Sequence, residues 1–191
     1  MSTIVVVKKD GVVAIAADTL TTYGGTKESA EYIVNSSKLL RVGETVLSTV
    51  GHASWRTVLS SYLSAQAEPP ALDSVEAIFE WVRGMHGVLK EDYFLKLNGD
   101  EDDDFERTHL CSLIANPSGI FGIYTMRSVQ EYRKFYAFGS GMEYALGAMH
   151  AVYDTAASAE AVARAGVEAG AAFDDGSGLP LEVITIPLKS A

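Results

Sequence analysis

Runs of β-branched, apolar residues that alternate with pairs of helical segments predict an α+β fold in which helices cover antiparallel sheets. Two turn signals carry most of that reading. Asp10-Gly11 and Gly43-Glu44 each separate two short apolar runs, and both dipeptides tolerate the positive φ angles of a tight hairpin. The third observation is the order of segments: four strands, two helices, three strands, two helices and one strand.

The first hairpin pairs Ser2–Lys9 with Val12–Ala17, and the second pairs Lys38–Val42 with Thr45–Val50. His52–Ala67 then carries Trp55, Val58, Leu59 and Tyr62 at helical spacing and stops at Pro69-Pro70, where the missing N–H disfavours helix. Asp73 is expected to cap the next helix, with Glu76 three residues on as in a capping box. Val75, Ile78, Phe79, Val82 and Leu89 form its apolar stripe. Leu110–Ala115, Gly119–Thr125 and Tyr132–Phe138 read as strands, the first two joined by the turn signal Asn116-Pro117-Ser118-Gly119. Met142–Ala156 and Ser158–Phe173 read as Ala/Gly-rich helices suited to close packing, and Leu181–Pro187 as a last strand.

Bulk properties bound the function. At 191 residues, without a Pro/Ser-rich linker or a repeat, residues 1–191 are expected to form a single domain. Hydrophobic residues at 48% and charged residues at 21% are the balance of a globular protein. A net charge of −10 argues against nucleic acid or an anionic membrane as partner. Much of that charge lies in Asp100–Asp104 and Glu106, read as a solvated acidic loop. No basic leader or membrane-length apolar run is seen, and Cys111 is the single cysteine, so a cytoplasmic location is expected. Cys111 itself reads as a buried small hydrophobe.

Chemistry centres on Ser2. A serine hydroxyl needs a base, and a residue freed of Met1 would offer its own α-amine, whose pKa of about 7.7–8.0 leaves much of it neutral near physiological pH. A serine in second position is by itself commonplace. Its surroundings are not: Ser2-Thr3-Ile4-Val5 opens the first strand, Ile15-Ala16-Ala17-Asp18 ends the second, and Lys38 opens another. Thr49-Val50-Gly51 ends the fourth run, Gly139-Ser140-Gly141 precedes a helix, and Asp174-Asp175-Gly176-Ser177-Gly178 precedes the last strand.

These motifs, in this order, resemble the proteasome β and HslV peptidases over essentially the whole chain. The resemblance implies a four-layer αββα sandwich of the N-terminal-nucleophile hydrolase type, of threonine-peptidase type with Ser as nucleophile. The longer loops lean toward the bacterial proteasome homologues. Residue by residue, Ser2 matches the nucleophile and its α-amine the general base. Lys38 matches the cation beside it, and Asp18 that cation's partner, although two such residues on neighbouring strands also make an ordinary ion pair. Gly51 matches the donor to the oxyanion. Ser140, Asp174 and Ser177 match the polar residues that hold the amine, while as plain sequence they are also turn and cap residues.

For substrate, Thr22 matches the position whose backbone pairs with an extended peptide. Ser36, Thr49 and Ala53 match positions that shape the pocket for the residue before the cut. The resemblance further implies stacked homo-oligomeric rings cleaving peptides or unfolded proteins, with room for an ATP-driven unfoldase partner; no metal or cofactor is expected. Small residues on the last two helices, Ala145, Gly147, Ala148, Ala165, Gly166 and Ala169, are expected to serve close packing within or between subunits. The reading requires loss of Met1, since a blocked Ser2 has no amine. A small-acyl amidohydrolase and a non-catalytic ring subunit are the rival readings.

Overall fold

The computed structural model describes residues 1–96 and 104–189. The described strands are β1 Thr3–Lys9, β2 Val12–Asp18, β3 Thr21–Tyr23, β4 Thr26–Glu28, β5 Leu39–Val42, β6 Thr45–Val50, β7 Cys111–Asn116, β8 Gly119–Ile123, β9 Val129–Glu131, β10 Phe135–Gly139 and β11 Leu181–Pro187. The described helices are α1 Ser54–Ser64, α2 Val75–Glu91, α3 Met142–Val152 and α4 Ala159–Phe173.

Two antiparallel sheets stack face to face, one in the order β10-β1-β2-β11 and the other β5-β6-β7-β8-β9. The first hairpin forms as its sequence dictates: Asp10 and Gly11 take φ of 51° and 76°, and Lys9 pairs with Val12. Side chains of a strand alternate between faces, and here both faces of the central strands are buried. Ile4, Val6, Val13 and Ile15 face the second sheet, where Val46, Leu113 and Ile120 meet them. Val5, Val7, Ala14 and Ala16 face α3 and α4. On the far side Leu47, Ile114 and Phe121 meet Ile78, Val82 and Met85 of α2. The result is helices, sheet, sheet, helices: a four-layer αββα sandwich. Each fully buried aliphatic side chain contributes about 1.5–3 kcal/mol, so these three interfaces dominate stability.

Several details differ from the sequence reading. Asp73 does not cap α2; Ser74 does, its Oγ accepting the Ala77 N–H at 3.2 Å, while Asp73 is exposed one residue outside. Phe79 belongs to the outer face of α2 rather than to the stripe, at 40% exposure. Tyr132–Phe138 is not one strand, because the chain changes sheets there. Val129–Glu131 pairs with β8, and Phe135–Gly139 pairs with β1. The hairpin β3–β4 was not anticipated. Cys111 is half-buried rather than fully buried, and burial pushes its thiol pKa up. Within the acidic run, residues 100–103 lie outside the described residues. Glu106 is not simply solvated, since it pairs with Lys90 at 2.8 Å and His86 at 3.1 Å, and Lys90 and His86 hold its carboxyl below the usual range. No helix among the described residues is long and apolar enough to cross a membrane.

The Ala/Gly content of α3 and α4 is used within the subunit first. Ala145 and Gly166 are buried, whereas Gly147 is exposed and Ala148, Ala165 and Ala169 are half-buried. Gly170 lets α4 lie against the start of β1: a Cβ there would come within 2.2 Å of Thr3 Oγ1. Gly170→Ala is therefore expected to destabilise by about 1–3 kcal/mol despite a gain in helix propensity of about 1 kcal/mol. A thermal melt of the variant against wild type measures it, and an unchanged or raised midpoint would contradict that packing.

Candidate active site

The fold brings the ends of β1, β2, β6 and β10 to one edge of the sandwich. Ser2 lies just before β1, Asp18 is the last residue of β2, and Lys38 immediately precedes β5. Lys38 is fixed through its backbone, whose carbonyl accepts from Ser48 Oγ at 2.8 Å. Its ammonium donates to Asp18 Oδ1 at 2.7 Å and to Ser2 Oγ at 3.0 Å. All three side chains are buried. Asp18 is the better-held partner. Oδ1 also accepts the Thr3 N–H at 2.9 Å, and Oδ2 accepts from Leu20 N at 3.1 Å and Gly178 N at 3.0 Å. Its two oxygens thus accept from one ammonium and three backbone N–H groups. Burial pushes the Lys38 pKa down, the Asp18 charge and hydrogen bond pull it back up, and the Arg56 charge lowers it further.

A second chain of hydrogen bonds serves the Ser2 nitrogen. Its N–H donates to Ser140 Oγ at 3.2 Å, and Ser140 Oγ donates to Asp174 Oδ2 at 2.7 Å. Ser177 Oγ donates to the same oxygen at 2.6 Å. A hydroxyl has one hydrogen, so Ser177 must accept from Thr3 Oγ1, 2.7 Å away. Every hydroxyl direction thus ends on the Asp174 carboxylate. With Met1 attached the Ser2 nitrogen is an amide, and Ser2 Oγ donates to the Met1 carbonyl at 2.5 Å.

Two glycines are demanded by the backbone here. Gly139 has φ of 105°, and a Cβ would fall 1.9 Å from the Ser2 carbonyl oxygen. Gly51 has φ of 118° at the turn into α1, beside Ser2 in the same cavity. That cavity, about 310 Å³, is walled by Thr22 of β3, Thr49 of β6, Gly51, Ala53, Lys38 and Arg56. Ser36 is not part of its lining.

The residues singled out from sequence therefore converge, with Ser36 the exception. Sequence reasoning missed two contributors. Thr3 completes the hydroxyl chain, and its signal was the inward alternation of β1. Arg56 sits three residues after Ala53, one helical turn along, and a helical projection from Ala53 would have pointed to it.

No family model matches the sequence, and comparison with curated proteins gives no match. Solved structures do match. BPH of Thiobacillus denitrificans, a bacterial proteasome homologue, is 49% identical with a TM-score of 0.94, covering 99% of this chain and 100% of that one. The same protein in complex with epoxomicin gives 49% and 0.93, covering 98% and 100%. Eukaryotic HslV from Trypanosoma brucei is 19% identical with a TM-score of 0.71, covering 97% and 99%, and supports the fold alone. Near-complete coverage at that identity, on a sandwich with this arrangement at its edge, means that the chain belongs to the proteasome β/HslV family of N-terminal-nucleophile peptidases, among the bacterial proteasome homologues.

Proposed function

We propose that this proteasome-type peptidase subunit cuts peptide bonds through Ser2 once Met1 is gone. The observation that carries the reading is the pair of hydrogen-bond chains meeting on one residue: Lys38 and Asp18 at the hydroxyl, Ser140 and Asp174 at the nitrogen. The freed α-amine takes the Ser2 Oγ proton, with its own N–H still directed to Ser140. Oγ attacks the scissile carbonyl carbon, and the carbonyl oxygen becomes the oxyanion beside the Gly51 N–H, a donor of a kind worth about 2.7–4 kcal/mol in the transition state. Collapse breaks the C–N bond, and the amine's proton passes to the leaving nitrogen. Water then hydrolyses the Ser2 ester, giving its proton back through the same amine. Lys38 holds positive charge beside the hydroxyl throughout and favours its ionised form.

The substrate class is an extended peptide or unfolded protein. It pairs along β3 at Thr22, whose strand is bonded to β4 alone among the described residues. Thr49 and Ala53 shape the pocket before the cut. Confinement follows from closed rings of identical subunits in the cytoplasm, with the outward small residues of α3 and α4 at subunit contacts. An ATP-driven unfoldase is an optional partner of such rings.

The test compares two preparations, one with Met1 removed and one with Ser2 blocked by a retained residue, each identified by intact mass. The processed form is expected to hydrolyse a fluorogenic peptide and to bind epoxomicin, as the BPH relative does. The blocked form is expected to do neither. Light scattering of both should give a particle many times the 20.5 kDa of one chain. Equal hydrolysis by both forms would refute the amine's role, and a monomer that cleaves peptides would refute confinement.

A further inference from the structure

The chain is acidic, with 25 Asp and Glu against 15 Lys and Arg, yet the cavity beside Ser2 carries the opposite charge. Among the described residues that line it none is an Asp or Glu, while Lys38 and Arg56 are both cations. Lys38 is neutralised by Asp18, whose two oxygens are already filled by Lys38 and three backbone N–H groups. Arg56 has no such partner. Its Nη1 donates to the carbonyls of Asn35 at 2.9 Å and Ser37 at 2.7 Å, and among the described residues it makes no ion pair. Two backbone carbonyls fix the guanidinium plane but cancel none of its charge. They also leave Nε and Nη2, the edge that grips a carboxylate with two parallel hydrogen bonds, without a protein acceptor among the described residues.

We infer that this cavity selects an acidic side chain, glutamate above all, at the residue whose carbonyl is cut, with Arg56 as the counter-charge. The inference rests on Ser2 being the nucleophile, because that fixes which substrate residue the cavity receives. The wall fits an acid in other respects. Thr22 and Thr49 offer hydroxyls, and Gly51 and Ala53 leave the depth open. A lysine or arginine side chain would meet the uncompensated Arg56 charge and, among the described residues of that wall, no carboxylate. A leucine would fit by size but would cover the Nε/Nη2 edge of the guanidinium without offering it an acceptor, which is the costly case. Burial is the main cause that lowers the Lys38 pKa, and the Arg56 charge adds a smaller push in the same direction; a carboxylate entering the cavity relieves that smaller repulsion.

The experiment uses processed protein and fluorogenic peptides that differ only at the residue before the cut: Glu, its neutral isostere Gln, Leu and Lys. Wild type is expected to show kcat/KM for Glu about fivefold or more above Gln, with Lys lowest, and the Glu/Gln ratio should shrink with added salt because Arg56 is only half-buried. Arg56→Gln is expected to bring the Glu/Gln ratio to within about twofold, and Arg56→Lys to retain a preference for Glu. If Arg56 merely anchors the 35–37 segment, Arg56→Gln lowers all peptides together and leaves the ratio untouched, which overturns the inference. So does a wild type that cleaves the Gln or Leu peptide as well as the Glu peptide, and that result would leave Ser2 as nucleophile intact. A processed wild type that cleaves none of the series overturns both readings.

Discussion

Processed protein carrying Ser2→Ala is expected to lose at least about a thousandfold of its peptidase activity while keeping its assembly state. The substitution deletes one oxygen, and that oxygen is the attacking atom. It leaves the α-amine, and its Ser140 partner, in place, so any base catalysis on a bound water would remain. The size of the loss thus measures covalent catalysis specifically. Folding should barely notice, because among the described residues Ser2 Oγ hydrogen-bonds only Lys38 Nζ and the Met1 carbonyl, and Lys38 keeps Asp18. Ser2→Thr is the informative companion. It restores the hydroxyl and adds a methyl that stiffens χ1, so activity should be retained. Hydrolysis of one fluorogenic peptide by the three proteins, with light scattering on each, decides the matter. Residual activity of Ser2→Ala within about threefold of wild type would refute Ser2 as nucleophile.

Much of the fold was legible because its interfaces are dry on both sides. In a four-layer sandwich the central strands bury both faces, so Ile4–Val7 and Val13–Ala17 read as unbroken apolar runs on either side of the Lys8-Lys9-Asp10-Gly11 turn region. What failed to show was whatever packs on one side or none. Thr21–Tyr23 and Thr26–Glu28 form a short hairpin that is half-buried at most, and no hydrophobic alternation marks it. The break at Tyr132 was hidden because both flanking segments have strand composition. Only the hand-over from one sheet to the other interrupts pairing, and Tyr132 itself is held by stacking on Tyr136 at 4.4 Å and by its hydroxyl on Tyr124 at 3.0 Å.

The site was legible for a different reason. Its residues lie at the ends of strands that pair with each other, so their short motifs recur in a fixed order along the chain. Asp18 and Thr3 meet because β1 pairs with β2 in the register Ile4 to Ala17. Gly139 meets Thr3 because β1 pairs with β10. Arg56 was not legible in this way. It belongs to the first turn of α1 and enters the cavity through helical geometry, so only its projection one turn on from Ala53 marks it, and no motif of its own does. Asp73 shows the limit of local rules: Asp and Ser both cap helices well, and adjacent candidates are separated only by which one takes extended backbone, here Ser74 with φ −147° and ψ 162°.

Lys38→Ala is expected to lower peptidase activity by about a hundredfold or more at neutral pH, and to move the pH profile upward. Two charges compete beside the nucleophile. The Lys38 ammonium disfavours protonation of the Ser2 amine, and the Asp18 carboxylate favours it. In wild type the cation lies nearer the hydroxyl, 3.0 Å from Ser2 Oγ, and partly cancels Asp18. Removing it leaves the carboxylate unopposed, which favours the protonated amine, so the base is neutral only at higher pH. The rising limb of the rate profile therefore shifts to alkaline pH, and part of the activity returns there. The missing part is the lost stabilisation of the ionised hydroxyl, which no pH change restores. In wild type the alkaline side should behave oppositely. The Lys38 pKa is held down by burial, so the ammonium discharges earlier than an exposed lysine and the rate falls; the variant should lack that descending limb. Folding should survive because Asp18 keeps its three backbone donors, from Thr3, Leu20 and Gly178. Lys38→Met, which keeps the packed stem, separates charge from volume. Rate profiles of the three proteins from acid to alkaline pH measure all of this. Unchanged activity in both variants at neutral pH would reduce Lys38 to one half of a structural ion pair.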